Sequence, residues 1–447
     1  MTESISLNAI RGCLEGVIPS VIATVASDGT PNITYVSQVH FIDAQHVALS
    51  YQFFNKTREN ILANPYATVQ VVDPDNATHY RLAIRYLRTE TAGPLFENMK
   101  AKLAGIASQT GMSKVFRLLG ADVYEVLSIE GVQPECQPVV PPQRNRLAAL
   151  RAAIEQLSTC SDLDTLFNEL MVVLQQHFDI NHAMLLMYDD KGNRLYTVAS
   201  HGYAVSGIGA EIPLGTGIIG VAAQECAPIR IMYMTAQYTY NLAVRKSLLE
   251  NNPQLELETE IPFAGLAEPH SQLAVPIARN NQLLGVLYVD SSEDMRFTYE
   301  DEDALVALAG FLALSITQCQ EVMENKPDRT VAVAAAAGMK GPPAVIRYYA
   351  ANDSIFIDEE YLIKGVAGAI LWKLIKDYTT QNRTEFSNRE LRLDATIGLP
   401  DIGDNLEARL ILLHKRLKER CEFLAIEKTG RGRFQLKVGR AISLQES

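Results

Sequence analysis

The sequence predicts a multidomain α+β protein of three units, and three observations carry that prediction. At 447 residues the chain is about three times the ~150 residues of an ordinary domain. Two stretches read as linkers: PECQPVVPPQRN (134–145), whose four prolines forbid regular helix, and ENKPDRTVAVAAAAGMKGPP (324–343), which joins Pro and Gly to an alanine tract. Between these linkers the local pattern changes, from strands with short helices, to helices beside long strands, to helices followed by a basic hairpin. Predicted boundaries are 1–133, 146–323 and 344–440.

The first unit opens with VIPSVIATVA and PNITYVSQVHFI around the hairpin turn SDGT, followed by the strand HVALSYQ. A short helix, the strands TVQVVD and YRLAIRYLRTETA, a helix through MKAKLAGIA and the strand DVYEVLSIEGV complete it. Antiparallel strands with short helices predict a small barrel. In the second unit Leu147, Leu150, Ile154 and Leu157 fall on one face of a helix starting the unit, and Ser161 with Asp164 reads as a capping box for the next. Strands AMLLMYD and RLYTVASHG join through DKGN. A long hairpin, QLAVPIARNNQLLGVLYVDS, precedes a final helix capped by Thr298 and Asp301, with Leu305, Leu308, Leu312 and Ile316 inward. The third unit reads as AVIRYYA, the turn ANDS, IFID, a helix from about Lys364 to Tyr378, capped helices at Ser387 and Asp404, and two strands around Gly430-Arg431-Gly432. Such an arrangement predicts a winged helix.

Composition narrows the classes. Apolar residues make up 47% and charged residues 21%, which is globular composition. The N-terminal residues do not read as a signal peptide, and the longest apolar runs fall short of the ~20 residues of a membrane span, so a cytoplasmic protein without membrane insertion is expected. Six cysteines and eight histidines are scattered without CxxC, HxxxH or HxH spacing, which predicts thiols without a disulfide framework and no metal site. Net charge is -12, yet residues 340–447 carry +3 and the rest -15. The overall charge disfavours indiscriminate nucleic-acid binding, and the C-terminal unit is electrostatically distinct.

Chemistry concentrates in FFNKTRENILANP (53–65). A helix opening at Asn55 presents unpaired backbone N–H groups and a positive dipole end, and Lys56 and Thr57 add an ammonium and a hydroxyl, as a phosphate requires. An Asn cap beside a solvated lysine is the plainer alternative. In its strand-then-helix context the motif resembles the pyridoxamine 5'-phosphate oxidase-like split barrels over roughly residues 10–132. That resemblance implies flavin mononucleotide (FMN) at a homodimer interface, with Asn55, Lys56 and Thr57 facing its phosphate and Asn60 and Pro65 shaping the helix. The cofactor-binding set is thus Asn55, Lys56, Thr57 and Asn60. The oxidase's substrate-phosphate cluster has no evident counterpart, because Arg81, Arg85 and Arg88 are split between strand faces. Some relatives bind haem, which leaves His40, His46 or His79 as alternative iron ligands.

GTGIIG at Gly215, Gly217 and Gly220 has the spacing of a dinucleotide fingerprint but lies among antiparallel strands, with no acid about twenty residues on. IPLGTGIIGVAAQECAPIRI, the long hairpin and FTYEDEDALVALAGFLALSI together resemble the GAF domain family over about 146–322. The resemblance implies an α/β sandwich that senses an unknown small molecule or dimerises, with the glycines turning backbone into a helix. The segment between Ile231 and Ser271 is rich in Tyr and Met, and Met232, Tyr233, Met234, Tyr238 and Tyr240 line a ligand pocket or plain core.

DNLEARLILLHKRLKERCEFLAIEKTGRGRFQL resembles the second half of an OmpR-type winged helix. Leu406, Leu410, Leu413 and Leu417 share the buried face. The resemblance places Arg409, Leu412, Lys415 and Arg416 toward a DNA groove and Arg431 and Arg433 on the wing near phosphate. Ile411 and Leu412 fall nearly opposite the leucine stripe, exposed on this reading, as thymine contacts or a protein-binding face. The expected whole is a sensor and transcriptional regulator. The alternatives are a flavin-dependent oxidoreductase with accessory domains, a haem sensor, and an adaptor that contacts protein.

Overall fold

The structure is a computed structural model. It describes residues 5–14, 20–36, 39–51, 55–74, 77–109, 118–132, 145–232, 265–266, 269–280, 282–324, 343–394, 397, 406–430 and 432–446.

The first unit begins with a 3-10 segment (Leu7–Leu14). Its seven strands are β1 (Ser20–Val25), β2 (Pro31–Val36), β3 (Val39–Phe41), β4 (His46–Tyr51), β5 (Tyr66–Val72), β6 (His79–Glu90) and β7 (Gly120–Val132). They form one antiparallel sheet in the order β2-β1-β5-β6-β7-β4-β3. The alternating pattern puts Ile22, Val47, Val69, Leu82, Ile84 and Tyr124 into one core, as period-2 burial requires. Helix α1 (Asn55–Ala63) follows β4, and α2 (Pro94–Gln109) leads toward β7. The predicted turn is present: Asp28 Oδ1 accepts from Thr30 N at 2.9 Å, and Gly29 takes the left-handed φ of 86°.

In the middle unit, β8 (His182–Asp189), β9 (Arg194–His201), β10 (Glu211–Pro213), β11 (Ile229–Ile231), β12 (Ser271–Arg279) and β13 (Gln282–Ser291) form an antiparallel sheet ordered β10-β9-β8-β13-β12-β11. Alternate residues of β8 serve two cores. Ala183, Leu185 and Met187 meet α3 (Arg146–Leu157), α4 (Leu163–Phe178) and α6 (Tyr299–Glu324), while Met184 and Leu186 meet α5 (Gly217–Glu225). Leu305, Leu308, Leu312 and Ile316 are buried as expected. By length and composition α6 passes as a membrane span from Tyr299 to Gln320, and in the fold this leucine face forms core against the sheet.

Two expectations for this unit need correction. Leu147 lies 76% exposed while Ala153 and Leu157 form the buried face of α3. The cap of α4 is Asp162, which accepts from Thr165 N at 3.2 Å; the proposed box at Ser161 and Asp164 is out of register by one residue.

The C-terminal unit contains β14 (Ala344–Tyr349), β15 (Ser354–Ile357), β16 (Glu360–Ile363), α7 (Gly365–Gln381), β17 (Glu385–Ser387), α8 (Asn388–Leu393), α9 (Leu406–Arg420), β18 (Leu424–Gly430), β19 (Arg433–Val438) and β20 (Ile442–Glu446). Ser387 and Glu390 form the predicted capping box, whereas the cap assigned to Asp404 lies outside the described residues. β18 and β19 make the predicted hairpin, and β17 pairs with β19. Strand β20, beyond the predicted boundary at 440, returns to pair in parallel with β14. The largest correction concerns packing between units: the core of the middle unit runs without a break into that of the C-terminal unit, with α9 seated on β9 and α4.

Candidate functional site

Two of the four residues expected to hold a flavin turn inward. Asn60 Nδ2 donates to Thr24 Oγ1 at 3.0 Å, and Asn32 Nδ2 donates to Thr57 Oγ1 at 2.9 Å and to Thr24 Oγ1 at 3.3 Å. Thr57 and Asn60 are buried, so their side chains join α1 to β1 and β2. Lys56 is exposed in the first turn, and Asn55 is the first helical residue. The result is a pinned helix whose leading end carries an ammonium beside backbone donors that have no partner within the helix.

Arg58, passed over in the sequence, lies one residue beyond Thr57. It pairs with the buried Asp122 of β7, and its guanidinium stands 4.5 Å over the Tyr51 ring. Burial works to lower the Arg58 pKa, but the bond to Asp122 and its charge raise it on balance. Thr89 Oγ1 also donates to Asp122, at 2.5 Å. The cavity among Ile22, Val36, Thr57, Arg58, Asp122 and Tyr124 measures only about 20 Å³, room for a single water. This cavity by itself does not admit an aromatic ring system.

Of the arginines on β6, Arg85 pairs with Glu125 at 2.5 Å and Arg88 with Glu90 at 2.7 Å. Arg81 and Arg85 share a face by strand alternation, and neither ion pair draws all three into one cluster. His46 binds Asp43 through Nδ1 at 2.9 Å, and His79 Nδ1 meets Gln70 Nε2 at 2.8 Å. His46 pairs with Glu125 in the middle of β7 and His79 with Val132 at its end, and half-buried His40 sits on β3, so the histidines offered for haem belong to separate surroundings. Among the described residues no three His, Cys, Asp or Glu side chains gather as a metal site.

In the middle unit, Gly215 and Gly217 adopt φ of 76° and 60° as the chain turns into α5, and a Cβ at Gly220 would come 2.4 Å from Pro213 O. The glycines thus serve backbone geometry in an antiparallel sheet. On the α5 side lies a polar network absent from the sequence reading. Tyr203 Oη donates to Asp290 Oδ1 at 2.8 Å, Tyr288 Oη to Oδ2 at 3.3 Å, and Gln272 Nε2 to Tyr288 Oη at 3.0 Å. Burial pushes the Asp290 carboxyl up, against the hydrogen bonds that favour its ionised form. Met232 is buried; the other Tyr and Met residues named for the pocket lie outside the described residues.

The positions expected to face DNA are occupied by protein. Arg409 is 3% exposed, donates to Asp189 Oδ1 at 2.8 Å and lies 5.1 Å over Tyr196. Arg416 is 4% exposed and gives Nε and Nη2 to Leu362 O at 3.2 and 3.1 Å. Lys415 donates to Asn168 Oδ1 at 2.8 Å and to Val198 O at 3.1 Å; burial pushes its pKa down, with Asp164 and Glu419 pulling the other way. Leu412 is buried, as is Ile411, which corrects the expectation that both are exposed. Leu406, Leu410, Leu413 and Leu417 form the predicted inner stripe, so α9 is covered on both sides. Arg433 is half-buried on the hairpin, and Arg431 lies outside the described residues.

Comparison with known families fits two of these units. Residues 7–128 match the family model for pyridoxamine 5'-phosphate oxidase, and residues 162–316 match that for the GAF domain. No curated protein matches the chain. Among solved structures, the GAF domain of a phosphoenolpyruvate-protein phosphotransferase from Coxiella burnetii is 22% identical, with 40% of this chain and 96% of that one covered and a TM-score of 0.30. An FMN-binding protein from Syntrophomonas wolfei is 18% identical, covering 28% of this chain and 88% of the other, with a TM-score of 0.24. Free methionine-R-sulfoxide reductase from Neisseria meningitidis is 16% identical over 40% of this chain and 91% of its own, with a TM-score of 0.31. Two of the three units therefore carry domains of known families, a pyridoxamine 5'-phosphate oxidase-like domain followed by a GAF domain.

Proposed function

We propose that the chain is a cytoplasmic flavin sensor and regulator: FMN binds at the first domain, the GAF domain relays its state, and the C-terminal unit acts as a DNA-binding winged helix. The observation that carries the flavin reading is the leading end of α1, where exposed Lys56 stands on a helix whose Thr57 and Asn60 are fixed to β1 and β2. Exposed Lys56 and the first N–H groups of α1 fit the phosphate. Bound flavin would supply redox chemistry; the chain's own residues bind and orient it. Ile33 and Tyr35, 71% and 73% exposed on edge strand β2, supply an apolar face for the homodimer.

A path from barrel to GAF domain exists in the packing. Helix α2 lies on α5 and β11, and half-buried Glu302 at the start of α6 joins Lys102 of α2 at 3.4 Å to Arg230 at 2.8 Å. The order of strands, helices and hairpin supports the winged-helix reading of the C-terminal unit. The adaptor alternative drew on exposed Ile411 and Leu412, and their burial against the protein itself removes that support.

The first test is the visible absorption spectrum of the purified protein and of Lys56→Ala. Flavin bands in the wild type, weakened in the variant, are the expected result. A Soret band or a colourless protein after reconstitution with FMN would overturn the flavin reading. Sustained oxidation of a reduced nicotinamide would instead favour the oxidoreductase.

A further inference from the structure

We propose that the GAF domain masks the cationic face of α9, so that the structure shows a closed form from which nucleic acid is excluded until α9 separates from α4 and β9. This rests on reading the C-terminal unit as a DNA-binding module.

Three contacts define the mask, and in each a C-terminal cation meets an oxygen of the GAF domain. Arg409 meets the Asp189 carboxylate, Lys415 meets the Asn168 amide oxygen and Val198 carbonyl, and Lys428 of the hairpin lies 3.5 Å from the Asp162 carboxylate. These oxygens occupy the role that phosphate oxygens would have on a duplex. The charge of the two parts agrees with this, since residues 340–447 carry +3 and the remainder -15.

At this interface polar contacts stand beside the shared apolar core. Leu410, Ile411 and Leu412 supply apolar burial, and a joint built solely for stability would extend that set. Buried Arg409 and half-buried Lys415 instead meet polar oxygens of the GAF domain, an arrangement that gives orientation at little net gain in free energy. A duplex would offer the same cations another anionic partner.

The test uses the full-length chain, a labelled mixed-sequence DNA duplex and hydrogen exchange of α9. Asn168→Lys, an exposed substitution facing Lys415, opens the contact by repulsion, and Asp189→Lys does so at Arg409. Gln176→Lys, exposed elsewhere on α4, controls for the added charge. The expected result is faster exchange in α9, duplex binding about tenfold tighter than in the control, and a log-log salt slope steeper by about two to three. Asn168→Glu is expected to slow the exchange and weaken binding. Should Asp189→Lys fail to fold, the surface pair at position 168 still decides the matter. Unchanged exchange in both position-168 variants, or faster exchange without tighter binding, overturns the mask. Duplex binding by wild type equal to that of the opened variants overturns masking while leaving the DNA-binding reading intact. Absence of duplex binding in every form, opened ones included, overturns that reading and the proposal with it.

Discussion

Helices α1 and α9 both carry cations that the sequence assigns to phosphate, yet the fold treats them in opposite ways. Lys56 of α1 stays in solvent, while Arg409 and Arg416 of α9 are almost fully buried. The cause lies in the rest of each helix. The inward contacts of α1 include polar Thr57 and Asn60, which attach it to one sheet and leave its leading end open. Helix α9 has a leucine stripe on one side and Ile411 with Leu412 on the other, and a helix apolar on two faces is buried between two partners. A cation on a helix thus takes its role from the aliphatics around it.

Removing a single buried partner on α9 should therefore produce the largest effect. Asp189→Ala leaves Arg409 desolvated without its carboxylate, and the expected loss is about 3–5 kcal/mol. Trp372, the single tryptophan, stacks on Tyr348 at 4.7 Å and reports unfolding of the C-terminal unit by fluorescence in urea. The pair replacement Asp189→Leu with Arg409→Met should recover most of that loss. A single variant within 0.5 kcal/mol of wild type would break the contrast, because the pair would then be as solvated as Lys56.

On α1 the two kinds of residue should separate cleanly. Lys56→Ala is expected to leave stability within about 0.5 kcal/mol and to weaken FMN binding about tenfold to a hundredfold, the worth of a charge-assisted bond. Asn60→Ala should cost about 1–2 kcal/mol of stability, since it removes a buried bond to Thr24. Fluorescence titration with FMN and urea unfolding measure the two effects side by side. Equal loss of affinity and stability in both variants would show that Lys56 is part of the scaffold.

How much of this was legible follows from the range of each interaction. The strand alternation around Val69 and Leu82, the capping box at Ser387 and the inner face of α6 are local patterns, and each occurs where the sequence placed it. Arg58 was missed because its partner Asp122 lies on β7, far along the chain. Strand β20 escaped because ISLQE is short and half-exposed, so its pairing with β14 depends on the sheet already being present. Burial of Leu412 was out of reach for a different reason: the surface covering it belongs to another domain, and helical periodicity describes one domain at a time.

The smallest expected effect tests the other junction, between barrel and GAF domain. His40 lies beside Lys102 and Arg11, and burial first, then those two cations, push its pKa from 6.5 down to about 4, against the opposing pull of Glu302. A folded-state pKa below the unfolded value means that the unfolded chain binds the extra proton, so stability is intact above pH 6.5 and falls as pH drops toward 4. Glu302 behaves alike one step lower. Burial works to raise its pKa, but Arg230 and Lys102 lower it on balance, so its contribution is present above its ordinary value of 4.5 and lost in stronger acid. Between pH 6.5 and 4.5 His40 is therefore expected to add a slope of less than one proton, read as the difference between wild type and His40→Gln. Urea unfolding at stepped pH measures that slope. An identical slope in the variant would assign the acid sensitivity to a group other than His40.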